Sequence, residues 1–327
     1  MIRYIIKRIF ALIPVLLGVS FIIFSLLYFT PGSPAEYMLG MDATEESIAE
    51  LEEELGLNDP FLVRYIKDIV TEFDFGTSYT TKQSVTIEIL DRIPATLTLA
   101  VLSVAFATIV GVVTGVIAAV KQYSIFDKAA TVVALTGVSM PNFWTGLMLI
   151  IIFAVNLKVL PPSGFDTPLH WILPTLTVGM ASSATIMRQT RSAMLEVIRQ
   201  DYITTARAKG QTEFVIVMRH ALRNALIPII TVVGISFGTM LGGAILAESI
   251  FSIPGIGKLM VDAINVKNYP MVQGGVLFIA FAFSIVNLMV DILYAFVDPR
   301  IKSQYKGGKK KKKQAIAAAA ATDNKEG

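Results

Sequence analysis

The chain has no cysteine, only two histidines and only two tryptophans in 327 residues. Without cysteine there is no disulfide, no thiol nucleophile and no thiolate zinc site. His170 and His220 stand far apart, which argues against a histidine-built metal centre. Charge is scarce too: Asp, Glu, Lys and Arg make up 16% of the residues, against about 25% in a soluble domain. Hydrophobic residues make up 54%. One aqueous core cannot hide that much apolar surface, so lipid must solvate much of the chain. Catalytic signatures are missing as well. There is no G-x-x-x-x-G-K-[ST], no H-E-x-x-H and no G-x-S-x-G, and the GIGKL beginning at Gly255 has the wrong spacing for a phosphate cradle. The sequence offers no catalytic residue, no cofactor site and no metal site.

Six segments supply the roughly 20 mainly apolar residues that a membrane-crossing helix needs. They are Ile9–Phe29, Ala95–Val120, Ala129–Leu160, His170–Met187, Ala225–Ala247 and Met271–Val297. The third is interrupted at Pro141-Asn142 and reads as a kinked helix, or as a short lead-in helix followed by a span. The fourth is short and contains Pro174. The first is too long for a signal-peptide core and is followed by no small-x-small cleavage site, so it reads as a retained span. The fold class is all-α and polytopic: six transmembrane helices, an outer helical loop and a cytosolic helical loop.

Basic residues set the orientation. The N-terminus carries Arg3, Lys7 and Arg8, the 121–128 loop carries Lys121 and Lys128, and the 188–224 loop holds seven basic residues against three acidic. The C-terminal tail adds Arg300, Lys302, Lys306, Lys309 to Lys313 and Lys325. With six spans all four lie on one side. Loop 30–92, on the other side, has fourteen acidic and four basic residues, a net of −10. Both termini are therefore expected in the cytosol.

Within the outer loop Thr44 is expected to cap a helix with Ile48, Leu51 and Leu55 on one face, stopped at Gly56. Asp59-Pro60 reads as the start of a second helix with Leu62, Ile66, Ile69 and Phe73 inward. This acidic hairpin reads as a cover over the span ends and as a docking surface for an outer partner. The tail 306–327, GGKKKKK followed by an alanine-rich stretch, is low complexity and reads as disordered, with its lysines available to anionic headgroups. Residues 1–305 form the membrane domain.

Asp291 is the clear ionisable residue inside a span and reads as a paired structural group rather than a proton relay. Glu248 lies at the outer end of the fifth span and reads as interfacial. Gly234, Gly238 and Gly242 form one small-residue stripe, and Gly111 with Gly115 a second; such stripes let helices approach closely.

The stretch Asp201–Pro228, DYITTARAKGQTEFVIVMRHALRNALIP, is polar, basic and helix-prone between two apolar segments. Residues 196–209 read as one helix with Ile198, Tyr202 and Ala206 roughly on one face. Gly210 ends it in a left-handed conformation. Thr212 starts the next helix, which runs through Phe214, Val217, Met218, Ala221 and Leu222 into the fifth span. The result is an elbow with Ala206, Arg207, Ala208, Lys209 and Gly210 at its tip. The residues alone leave two readings of it: a projection into a partner's groove, or an amphipathic segment lying on headgroups.

At this loop the chain resembles the permease subunits of bacterial ABC importers, specifically the first permease of the peptide/nickel (oligopeptide/dipeptide) class. The family signature of Glu-Ala-Ala with a Gly further on corresponds here to Thr204-Thr205-Ala206 with Gly210 kept; Thr stands in place of Glu. The resemblance continues through YIIKRIFALIPVLLGVSFIIF near the N-terminus, PGSP at 31–34, LGLNDPFLVRYI at 55–66, FGTSY at 75–79 and RIPATLTLA at 92–100. It resumes in SMPNFWTGL at 139–147, LPPSGF at 160–165, RHALRNALIP at 219–228, AESIFSIPGIGKLMVDAI at 247–264 and VNLMVDILYAFVDPRI at 286–301. The lysine/alanine tail departs from it.

The resemblance implies half of a peptide-conducting pore in a bacterial inner membrane. The implied partners are a second homologous permease, two cytosolic ATPase subunits that hold the ATP and Mg, an outer substrate-binding protein, the peptide itself and membrane lipid, but no nucleic acid. It also implies that the elbow is a coupling loop, with Tyr202, Thr205, Ala206, Arg207, Ala208, Lys209 and Gly210 meeting the ATPase. Nickel or another small solute is an alternative cargo. An ion-coupled secondary transporter would need more intramembrane acids than Asp291. An intramembrane enzyme would need a nucleophile and base within the spans.

Overall fold

The computed structural model describes residues 2–40, 43–67 and 75–297. Ile69, Phe73 and the 306–327 tail lie outside the described residues, as does the side chain of Asp291. Among the described residues the chain is helical, with one isolated bridge between Thr77 and Ser84 as the only extended pairing.

The first helix, α1 (Ile2–Tyr28), leaves Phe10, Ile22 and Leu26 more than half exposed, an apolar surface suited to lipid. Three short helices follow in the outer loop. Ser33 caps α2 (Pro34–Leu39) in a capping box completed by Glu36. The next, α3 (Glu45–Glu54), begins at Thr44 as expected, with Ile48, Leu51 and Leu55 half-buried and Gly56 at φ +63°. The expected inner face of α4 (Phe61–Tyr65) is corrected. Leu62 and Ile66 are exposed, and Phe61 and Tyr65 turn inward instead. The reason is an aromatic wall on α1: Phe61 meets Phe24 and Tyr28 at centroid distances of 5.3 and 5.1 Å, and Tyr65 meets Phe21 at 5.5 Å. Asp59 does not cap α4, which begins after Pro60 without a side-chain cap.

The central pair is α5 (Val85–Val120) and α8 (Ile172–Ile198). At 36 residues α5 is about 54 Å long, and it starts ten residues before the expected span. The Gly111/Gly115 stripe brings the two helices together. A Cβ on Gly111 would lie 2.7 Å from the Ser183 carbonyl oxygen, and one on Gly115 2.7 Å from that of Met187. The core here gathers Leu99, Leu173, Ile186 and Phe251.

Between the central pair, α6 (Ile125–Ser139) and α7 (Asn142–Leu149), the latter continued by a π-helical segment Ile150–Asn156, meet at a 106° bend. The break at Pro141 is sharper than a kink. It suits the lead-in helix reading.

Beyond α8 come α9 (Asp201–Ala208) and α10 (Glu213–Val215), then a π-helical turn Ile216–Ala221, α11 (Leu222–Ile250), α12 (Ile256–Asn265) and α13 (Tyr269–Val297). Along the α11 stripe Gly234 packs on Val290 and Gly238 on Phe283, whereas Gly242 faces open space.

Four helices among the described residues are long and apolar enough to cross a membrane, or five if the bent α6–α7 pair is one span. The expected fourth span forms as α8 but is less apolar than these. It is lined by α5, α6, α7 and α11, so few of its side chains need to satisfy lipid.

Candidate functional site

The elbow is built from a break and a left-handed residue. α8 ends at Ile198, and α9 restarts after Gln200. This corrects the expectation of one helix over 196–209, and it shifts the buried face. Ile203 and Ala206 are buried, while Tyr202 is 44% exposed. Gly210 has φ +74° and its N–H donates to the Arg207 carbonyl at 2.9 Å. An added Cβ there would meet nothing within 4 Å, so backbone conformation alone demands glycine.

Thr212 precedes α10 but its side chain makes no capping bond. Phe214 is 76% exposed and Met218 is exposed too, while Ile216 and Ala221 are buried. Across the bend Arg207 Nε donates to Glu213 Oε1 at 2.7 Å and Nη2 to Oε2 at 3.3 Å. That hydrogen bond raises the pKa of the Arg207 guanidinium above its ordinary value. His220 lies in the π-helical turn rather than in a loop.

Ile203 and Ala206 join one apolar cluster with Ala119 of α5, Met194 of α8, Ile216, and Ala225 and Ile229 of α11. The elbow is thus packed onto three long helices. Its free surface includes Tyr202, Thr205, Arg207, Ala208, Lys209 and Gly210 together with Phe214 and Met218, while the Ala206 side chain is turned into the chain's own core. Nearby, Arg191 of α8 grips Asp127 at the start of α6, Nε to Oδ1 at 2.6 Å and Nη2 to Oδ2 at 2.8 Å. The Tyr123 N–H also donates to Asp127 Oδ2, at 2.9 Å.

The opposite end of the bundle is fastened by Glu248. It is fully buried, which corrects its interfacial assignment. Its Oε1 accepts the Thr96 hydroxyl at 2.7 Å and its Oε2 the Lys258 N–H at 3.1 Å, at the N-terminus of α12. A carboxylate is well placed at a helix N-terminus, where backbone N–H groups lack helical partners. Thr96 also accepts the Ile256 N–H at 2.9 Å. The sequence reading missed α12 as a helix, although Ile256, Met260 and Ala263 recur at helical spacing and are buried.

Outside this, Lys267 donates to the Pro31 carbonyl at 2.6 Å. The buried Asn268 donates to Ser78 Oγ at 2.8 Å and accepts the Tyr79 N–H at 3.1 Å. His170, in a short 3-10 turn ahead of α8, is engaged by Thr167 through Nδ1 at 2.8 Å. Among the described residues no group of three or more His, Asp or Glu is placed to hold a metal.

Residues 111–303 match the family model described as the binding-protein-dependent transport system inner membrane component, and residues 1–100 match the model for the N-terminal part of such components. The chain is 44% identical over 333 residues to the dipeptide transport system permease protein DppB of Alkalihalophilus pseudofirmus, covering 92% of this chain and 100% of that protein. It is 41% identical over 336 residues to DppB of Escherichia coli K12, and 40% identical over 304 residues to the glutathione transport system permease protein GsiC of Salmonella paratyphi A. Each of these covers 92% of this chain and 99% of the relative. A solved chain of the MetNI methionine ABC transporter, in an inward facing conformation, shares the fold with a TM-score of 0.53 at 21% identity, covering 65% of this chain and 97% of that one.

Proposed function

This chain belongs to the family of binding-protein-dependent transport system inner membrane components, and from that membership we propose that it is one permease half of an ATP-driven peptide importer. It is not itself an ATPase; ATP and Mg belong to separate cytosolic subunits. Two such subunits, a second homologous permease and an outer substrate-binding protein complete the assembly. The membrane is a bacterial inner membrane, crossed six times with both termini in the cytosol, α8 and the bent α6–α7 pair counting as one crossing each. Peptides are the cargo, in line with the dipeptide and glutathione permeases among its relatives.

The observation that carries this reading is the elbow. Its buried face is fused to α5, α8 and α11, and its outer face is left free. A push on that free face acts directly on the long helices packed behind it. α11 then carries the displacement over its 29 residues, about 43 Å, to the Glu248 fastening. Alternating access driven from one side needs a stiff path of this kind.

The test is reconstitution of the whole importer with its binding protein in proteoliposomes. Uptake of a labelled dipeptide is expected only with ATP inside reach of the ATPases. Lys209→Cys is expected to crosslink to an ATPase subunit. Uptake driven by an ion gradient without ATP would overturn the reading.

A further inference from the structure

A cavity of about 610 Å³ opens beside the Glu248 fastening, at the end of α5 remote from the elbow. Its size falls within the range of small-molecule sites. One wall is a single face of α5 carrying Glu88, Asp91 and Arg92; facing it are Phe165, Trp171 and Pro254. Pro254 immediately precedes the α12 N-terminus that Glu248 holds, which fixes this part of the wall.

The fold makes little use of the charges in this cavity. Glu88 and Arg92 are four residues apart in the order that favours a helical ion pair. Among the described residues they nevertheless form none. Glu88 accepts the Thr81 hydroxyl, and among the described residues neither Asp91 nor Arg92 takes part in a side-chain hydrogen bond or ion pair. Two carboxylates and one guanidinium thus stand on consecutive turns of one helix face, opposite apolar surface. A ligand with an ammonium at one end and a carboxylate at the other would satisfy all three. The guanidinium fork matches a carboxylate in two-point geometry. Phe165 and Pro254 offer contact area without hydrogen-bonding demands, and Trp171 adds a ring face beside its single N–H donor, a surface that accepts many side chains.

We propose that this cavity is a reception site for short peptides with both termini free: Glu88 and Asp91 take the α-ammonium, Arg92 takes the α-carboxylate, and the Phe165, Trp171 and Pro254 surface carries the side chains. The proposal rests on the peptide-importer reading and assigns termini recognition to the permease itself, separately from any binding protein.

The test uses the assembled importer in nanodiscs without binding protein, titrated calorimetrically with dialanine, N-acetyl-dialanine, dialanine amide and alanine. Wild type is expected to bind dialanine and to lose at least about tenfold in affinity when either terminus is blocked, the scale of a lost charge-assisted hydrogen bond. Arg92→Gln should abolish the preference for a free carboxylate and keep the preference for a free amine. The Glu88→Gln, Asp91→Asn pair should do the reverse. Wild type that ignores terminal blocking overturns the proposal without reference to any variant, and variants that keep both preferences overturn it too. Alanine bound as tightly as dialanine would overturn the peptide class. Dialanine uptake with ATP and binding protein, but no binding in nanodiscs, overturns the cavity and leaves the importer reading standing. Binding with the expected preferences but no ATP-driven uptake upholds the cavity and overturns the importer reading.

Discussion

The Thr96 hydroxyl donates to Glu248 Oε1 at 2.7 Å and in the same position accepts the Ile256 N–H at 2.9 Å, so one α5 side chain closes a ring between the end of α11 and the start of α12. All three groups are buried. Thr96→Val keeps the shape but leaves a buried N–H without a partner, at a cost of about 1–3 kcal/mol. Thr96→Ser keeps both bonds. Thermal unfolding of the purified importer should therefore separate the two, with Val lowering the midpoint and Ser near wild type. Gly255→Ala is expected to be as damaging as Glu248→Ala, because its Cβ would fall 2.2 Å from the Glu248 carboxyl carbon. The two losses should not add in the double variant, since each removes the same contact.

Gly210 presents the opposite case. It has room for a side chain but a backbone at φ +74°. Gly210→Leu should insert normally into the membrane and lose coupling, with strain of about 1–2 kcal/mol at the bend. Gly210→Asn should retain most activity, because Asn tolerates the left-handed region. The measurement is substrate-stimulated ATPase activity of the assembled complex against its basal rate. Equal stimulation in the Leu variant would remove the elbow from the mechanism.

The Arg207–Glu213 pair is exposed on both sides, and exposed pairs contribute about 0–1 kcal/mol. Arg207→Ala should leave the unfolding midpoint near wild type while lowering uptake. The exchange Arg207→Glu with Glu213→Arg distinguishes two roles. It restores uptake if the pair only braces the bend, and fails to restore it if Arg207 meets a partner. Failure is the expected outcome, given the exposure of the neighbouring Thr205, Ala208 and Lys209.

Much of this was legible because lipid and close helix packing leave coarse signals. Long apolar runs marked the helices, Gly111 and Gly115 marked the α5–α8 crossing, and Gly210 marked the bend. What escaped depended on phase or on distant partners. The face of α9 was misread by one residue, Tyr202 for Ile203, because a helix assumed to run from 196 to 209 breaks at 199–200 and its phase restarts. Glu248 looked like an interfacial acid because its partners, Thr96 and Lys258, belong to other helices, Thr96 being 152 positions away. Leu62 and Ile66 looked buried because the aromatic wall of α1 could not be seen from the hairpin's own sequence.

The Asp127–Arg191 clasp joins α6 to α8 beside the elbow, with Asp127 4% and Arg191 26% exposed at the side chain. The asymmetry sets the direction of the mutational effect. Arg191→Met leaves a buried carboxylate whose remaining donor among the described residues is the Tyr123 N–H, and losing the charged partner of this partly buried pair costs about 1–3 kcal/mol. Asp127→Asn removes the buried charge, keeps an acceptor for Arg191 and leaves the guanidinium partly in water, so it should cost less. The ordering, with Arg191→Met less stable than Asp127→Asn, is checked by unfolding both variants of the assembled importer. Because α8 leads directly into α9, the same loss should also loosen coupling. Arg191→Met is expected to raise basal ATPase activity relative to uptake, whereas a clasp that only stabilises would lower both together.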